Sequence, residues 1–176
     1  STGQEIPGSV VIDAAGSVYF GTTGTGAGDG ALFKVNAALN TKVWSTPAGS
    51  AGLDDNNLGF LMSPVLGAGD IVYAAAQKPA VIGVVAGSVD IAAFNAVTGA
   101  VIWVNTLTAL IPGRKVNTDG TTDFSNGIAL GPRGLLYIML DDRKLYATYT
   151  SSPGLAANGW PAWRRDYEQT GDGTTV

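Results

Sequence analysis

The chain predicts an all-β fold of about three repeated four-stranded antiparallel sheets, and three observations carry that prediction. Its 25 glycines and 8 prolines are spread over 176 residues without a triplet period, which implies many tight turns between short strands rather than a few long helices. Hydrophobic residues make up 45% of the chain and charged residues only 14%, so the sequence has the means to bury a core and lacks the composition of a disordered chain. A phrase of strand, glycine-bearing turn and tyrosine-bearing strand also recurs three times, as expected where each unit buries a face against the next.

The first hairpin of each copy is "GSVVIDAAGSVYFGT" (8–22), "SPVLGAGDIVYAAA" (63–76) and "NGIALGPRGLLYIML" (126–140). Tyr19, Tyr73 and Tyr137 mark the second strand of each and stand 54 and then 64 residues apart. A second hairpin follows in two copies. "ALFKVNAALNTKVWSTP" (31–47) and "DIAAFNAVTGAVIWVNT" (90–106) superpose without a gap, matching Trp44 to Trp103 and Asn40 to Gly99. The turn is expected to need a positive φ at that position, which glycine adopts freely and asparagine better than most residues. A lone hairpin cannot bury an indole, so Trp103 implies a neighbouring sheet to pack against. The third copy opens alike with "RKLYATYT" (143–150) and then diverges into "SSPGLAANGWPAWRRDYEQTGDG"; its turn is lost or replaced.

The approximate copies 8–47, 63–106 and 126–166 thus hold four strands each within one segment spanning 1–176, the pattern of a β-propeller. Length beyond the roughly 40–45 residues of an ordinary blade falls in "TTGTGAGDG", "PAGSAGLDDNNLGF", "QKPAVIGVVAG" and "LIPGRKVNTDGTTDF". These are insertions that project from the rims, where binding usually resides. Propellers close with about four to eight blades, so three copies imply a partial propeller or one completed by assembly with other chains.

The phrase "FNAVTGAVIW" (94–103) strongly resembles the tryptophan-docking repeat of PQQ-like, quinoprotein-type β-propellers, and "VNAALNTKVW" (35–44) resembles it more loosely. The tail "GWPAWRRDYEQTGDG" (159–173) is similar to the W-P-x-[FW]-R-x-D-x-x-x-T-G segment that flanks such domains in bacterial proteins. The resemblance implies that Trp44 and Trp103 dock between adjacent blades, each stacking on a peptide of the next sheet, with Gly99 and Asn40 at the docking turns. An indole buried in this way contributes ~2–3 kcal/mol. Members of the family that oxidise alcohols bring pyrroloquinoline quinone, a calcium ion and often a vicinal disulfide. This sequence has no cysteine, and no quinone ligand maps onto it residue by residue, so no cofactor is expected. Other relatives are scaffolds, such as the periplasmic outer-membrane-assembly lipoprotein, and the repeat itself carries no enzymatic commitment.

Composition excludes several function classes. A net charge of -4 with no basic cluster beyond Arg164–Arg165 leaves no footprint for a polyanion, so nucleic acid is not an expected partner. The absence of Cys and His removes disulfides, Cys/His zinc sites, thiol nucleophiles and Ser-His-Asp triads from this chain. The most apolar window, "AVIGVVAGSVDIAAF" (80–94), contains Asp90 and is too short for a membrane-spanning helix. With no initiator Met or leader at its start, the chain has the character of a mature or excised part of an exported protein, periplasmic or extracellular.

Four stretches are candidate sites. "GTTGTGAGDG" (21–30) has the glycines of a phosphate-cradling loop, but "ALFKVN" after it is strand-like and offers no helix N-terminus, so a hairpin loop is expected. "NTDGTTD" sets Asn117, Asp119 and Asp123 around Gly120; such oxygen ligands could wrap a Ca²⁺ ion or cap backbone groups in a solvated turn. "LDDNN" (53–57) is a comparable acidic loop. "WPAWRRD" combines Trp160 and Trp163 with Arg164, Arg165 and Asp166, and would serve as a glycan or protein docking patch or cover a sheet end. "DDRK" (141–144) has the composition of a charged hairpin turn. The expected function is a non-enzymatic exported module for protein or glycan interaction, or for structural self-assembly. The alternatives are a fragment of a PQQ- and calcium-dependent oxidoreductase and a carbohydrate-binding module.

Overall fold

A computed structural model describes residues 5–24, 30–51, 53, 59–60, 62–78, 88–108, 128–139, 144–157, 159 and 161–162. Among them, β1 (Val11–Ile12), β2 (Val18–Gly21), β3 (Ala31–Val35) and β4 (Lys42–Pro47) form a first antiparallel sheet in sequence order. A second sheet is built identically from β5 (Val65–Gly67), β6 (Ile71–Lys78), β7 (Ser88–Asn95) and β8 (Val101–Thr108). The third holds β9 (Ile128–Leu130), β10 (Leu135–Met139) and β11 (Leu145–Tyr149). The sheets are open rather than closed on themselves. Among the described residues no helix is long and apolar enough to cross a membrane.

The first hairpin of each sheet turns where the backbone enters the left-handed region. Gly16 does so at φ 81°, Gly69 at 88° and Gly134 at 75°. In the first sheet the turn is further held by the Asp13 carboxylate, which accepts the backbone N–H groups of Ala15 at 3.0 Å and Ser17 at 2.8 Å, an Asx turn. The second hairpin carries a bulge at the same aligned place in both sheets, between Lys34 and Val35 and between Ala93 and Phe94. It keeps Trp44 opposite Lys34 and Trp103 opposite Ala93, so both indoles leave the same face of their sheets.

That face packs on the next sheet. Val11, Tyr19, Leu32 and Trp44 of the first sheet form one core with Leu66, Val72, Ala74, Ala92 and Phe94 of the second. On its other face the second sheet joins Val65, Tyr73, Ile91 and Ala93 to Ile128, Leu130, Leu136 and Ile138 of the third. The central sheet is therefore covered on both sides, and its strands read as the near-continuous apolar runs "VYAAA" and "VDIAAF" rather than as alternation. The alanines let the flanking sheets approach closely. The outermost faces differ: Met139, Leu145 and Tyr149 of the third sheet and Val43 of the first are exposed.

The expectation of three four-stranded sheets needs one correction, because the third has three strands among the described residues. Where its second hairpin would begin, Gly134 and Thr150 pair through their main chains and the backbone N–H of Arg133 bonds to the Pro153 carbonyl, and the chain leaves the sheet. It then lies along the free edge of β5: Leu66 donates to the Pro161 carbonyl at 2.7 Å and accepts from Ala156 at 2.9 Å. Further on, Gly159 presses so closely on the Ile12–Asp13 main chain that a side chain would collide with it. The tail thereby satisfies the edge of β5, which would otherwise be a template for stray pairing.

Candidate interaction site at the sheet seams

Both seams are built on the tyrosine of the second strand. In the first sheet the period-2 alternation points Tyr19, Lys34 and Trp44, paired across β2, β3 and β4, toward the second sheet. All three meet one backbone atom there, the Ala96 carbonyl oxygen. Lys34 Nζ donates to it at 3.1 Å and Trp44 Nε1 at 3.2 Å, and Tyr19 Oη, whose single proton goes to Asp13 Oδ2 at 2.9 Å, lies 3.2 Å from it. Ala96 sits in the β7–β8 turn, which Asn95 holds by accepting the N–H groups of Val97 and Thr98 on its side chain, each at 2.9 Å. Gly99 completes that turn at φ 77°. Its missing side chain matters: a Cβ there would stand 2.7 Å from Trp44 Cδ2 and 2.8 Å from Cε3. The indole thus lies against the glycine backbone, and Thr46 Oγ1 donates to the Gly99 carbonyl at 2.7 Å beside it.

Electrostatics lock the same seam. Lys34 Nζ is 3.4 Å from Asp13 Oδ2 and 4.9 Å from the Tyr19 ring centroid, a cation held by a carboxylate and an aromatic face. Burial works to raise the Asp13 carboxyl. The Ser17 N–H, the Tyr19 hydroxyl and the Lys34 ammonium together outweigh it and hold the group below the ordinary carboxylate value. Burial, the hydrogen bond to Asp13 and the negative charges of Asp13 and Asp70 push the Tyr19 phenol far up, so it stays a neutral donor. A cleft of about 310 Å³ opens beside this network, bordered by Asp13, Lys34, Gly67, Asp70, Val97 and Ala156. The Asp13 carboxylate already takes donors from Ala15, Ser17, Tyr19 and Lys34. Its chemistry is that of a strut between strands, not of an acid or base awaiting a substrate.

The second seam repeats the tyrosine and changes its acceptor. Tyr73 Oη donates to Ser152 Oγ at 2.8 Å, and the buried Ser152 hydroxyl donates onward to the Ala68 carbonyl at 2.8 Å. Gly67 holds the aligned position of Asp13, and a Cβ on it would stand 2.7 Å from the Tyr73 ring and collide with Ser152 Oγ. A hydroxyl from the third unit therefore occupies the space that a carboxylate fills in the first. The indole–phenol pairing is conserved between the two sheets: ring centroids lie 5.9 Å apart for both Tyr19–Trp44 and Tyr73–Trp103.

Of the residues singled out in the sequence, Trp44 and Gly99 are brought together across the first seam. Trp103 is half-buried at the second seam beside Tyr73. Asn40 departs from expectation. The left-handed residue of its turn is Leu39, at φ 56°, and not Asn40. Asn36 Oδ1 accepts the backbone N–H groups of both Asn40 and Thr41 at 3.2 Å, and this bracing moves the positive φ one residue earlier than in the Gly99 turn. Trp160, Trp163, Arg164 and Arg165, the calcium candidates Asn117, Asp119 and Asp123, and the quartet 54–57 lie outside the described residues. Residues 141–143 of the charged turn lie outside them too. Among the described residues no group of three acidic, His or Cys side chains is placed to hold a metal ion. The described end of the glycine-rich stretch leads into β3.

Sequence reasoning missed Asp13, Lys34, Ser152 and the Ala96 carbonyl. A signal existed for Lys34, a charged residue at an inward position of "ALFKV" between Leu32 and Trp44. Ser152 carried none, because its neighbours diverge from the repeat. No protein-family model matches the chain, and a search of curated proteins also found no match.

Proposed function

We propose that the chain is a segment of a β-propeller of the PQQ-like repeat class, exported to the periplasm or the cell exterior. In this reading it works without catalysis, as a rigid module for protein or glycan interaction or for structural assembly. The observation that carries it is the seam: an indole from the fourth strand lies on the glycine backbone of the next sheet's second-hairpin turn, with its N–H on the carbonyl of the first residue past the strand. This is the packing that the repeat phrase implies, and it spends the polar side chains of the seam on one another. Partners would meet the rim loops, including the stretch with Trp160, Trp163, Arg164 and Arg165, and the outer sheet faces.

The test sets this reading against the cofactor-dependent one. Thermal unfolding is followed with Ca²⁺ and pyrroloquinoline quinone added separately and together. An unchanged midpoint is the expected result; a saturable rise with quinone would overturn the non-enzymatic reading, because a ligand that binds the native state stabilises it by mass action. Titration with oligosaccharides, read by indole fluorescence, separates a glycan partner from a protein one.

A further inference from the structure

We propose that a second copy of this chain completes the stack, the outer face of the third sheet docking on the outer face of the partner's first sheet. Two such joints close a ring of six sheets. This pairing rests on the propeller reading and names its partner.

Each internal joint has a direction. The tyrosine-bearing face of one sheet meets the next sheet at the segment after that sheet's third strand: Tyr19 reaches Ala96 after β7, and Tyr73 reaches Ser152 after β11. The third sheet repeats the first half of this joint on its outer face. Tyr137 pairs with Ala129 as Tyr19 pairs with Val11 and Tyr73 with Val65. Gly131 underlies its ring as Gly67 underlies that of Tyr73, with would-be Cβ distances of 3.0 and 2.7 Å to the respective Cε2 atoms. The first sheet repeats the second half. Its turn after β3, Asn36–Thr41, aligns in sequence without a gap to the Ala96 turn, with Ala37 at the position of Ala96, although its positive φ falls one residue earlier.

Both faces leave apolar side chains uncovered whose aligned counterparts inside the chain are buried. On the third sheet Met139, Leu145 and Tyr149 are 48%, 66% and 79% exposed. On the first, Ile12, Val18 and the stacked rings of Phe20 and Phe33 are half-buried at the places where the second sheet buries Leu66, Val72, Ala74 and Ala92. Contiguous apolar surface of this kind marks an interface. The two faces are unlike each other and each matches one side of a joint already used within the chain, so the contact is head-to-tail and not face-to-same-face. Rings of about four to eight sheets close, and six is the multiple of three in that range.

The test is solution mass by sedimentation and light scattering over a concentration series. The parent chain is expected to reach twice its 17.9 kDa mass. Leu145→Asp/Tyr149→Asp on one face, and Phe20→Asp on the other, are each expected to give folded monomers, since the replaced side chains are exposed or half-buried on the outer faces. Mixing the two variants is expected to restore a dimer, because one joint then has two intact faces. A parent chain that stays monomeric at high concentration, a polymer series in place of a dimer, or an F20D variant that still dimerises would overturn the pairing. Near-ultraviolet circular dichroism of the aromatic seams separates the two levels of failure: a native signal in a monomer sinks the pairing alone, whereas its loss from the parent sinks the propeller reading.

Discussion

Replacing Trp44 by alanine removes the indole that joins the first two sheets. The residue is 8% exposed, and an aromatic side chain of this kind buries roughly 150–250 Å². At about 25 cal/mol per Å² that is about 4–6 kcal/mol as an upper bound, since the unfolded chain already hides part of the surface. Trp→Ala changes in cores cost about 3–5 kcal/mol, and the open side of the seam favours the lower half of that range. Trp44→Phe separates packing from hydrogen bonding. It keeps an aromatic ring on Gly99 and gives up the bond to the Ala96 carbonyl, which still accepts from Lys34. Because the acceptor is not orphaned, the loss is about 1–2 kcal/mol. Urea unfolding read by far-ultraviolet circular dichroism measures both, with a constant slope licensing the comparison of midpoints. An alanine variant within about 1 kcal/mol of the parent, or a phenylalanine variant as damaged as the alanine one, would refute the reasoning.

Gly99→Ala and Gly69→Ala should differ sharply. Both glycines have positive φ, but a Cβ at Gly69 meets nothing within 4 Å while one at Gly99 meets the Trp44 ring. Unfolding midpoints should show the roughly 1–2 kcal/mol backbone cost in both and a further loss only at Gly99; equal losses would mean that the ring does not rest there. Tyr73→Phe is expected to cost about 1 kcal/mol, and a double-mutant cycle with Ser152→Ala should reveal coupling, an additive pair counting against their hydrogen bond. For Asp13→Asn the effect depends on pH. The folded carboxyl titrates below its unfolded counterpart, so the network's stabilisation is whole above the ordinary value of 3.8 and is lost as pH falls through the depressed one. The gap between parent and variant, measured by urea unfolding at about pH 7 and about pH 3, should narrow at the lower pH; a constant gap would contradict the assignment.

The strands and their pairing were legible because they rest on local patterns. Turn glycines, period-2 alternation and the gap-free match of residues 31–47 to 90–106 all act over a few residues, and the bulge recurs where the alignment puts it. Three features lay beyond that reach. The Leu39 turn depends on how one Asn36 side chain divides its acceptor between two N–H groups, a choice between nearly equal turns that residue types alone do not decide. The course of the chain at Ala156, Gly159 and Pro161 depends on main-chain pairing with β5 and on close approach to β1, and backbone hydrogen bonds leave no mark in side-chain chemistry. The Ala96 carbonyl is hidden for the same reason. Lys34 and Trp44, which donate to it, and Tyr19 beside it come from strands that are distant in sequence, and only the sheet stacking brings them to it.

The contact between Trp44 and Gly99 is the most direct measure of that stacking, and nuclear magnetic resonance observes it in solution. One α-proton of Gly99 points at the six-membered ring of the indole, so it should resonate well upfield of the usual glycine range and show cross-relaxation with Trp44, and Trp44→Leu should return it to normal. A Gly99 α-proton with an ordinary shift and no magnetisation transfer to Trp44 would contradict the side-by-side arrangement of the first two sheets.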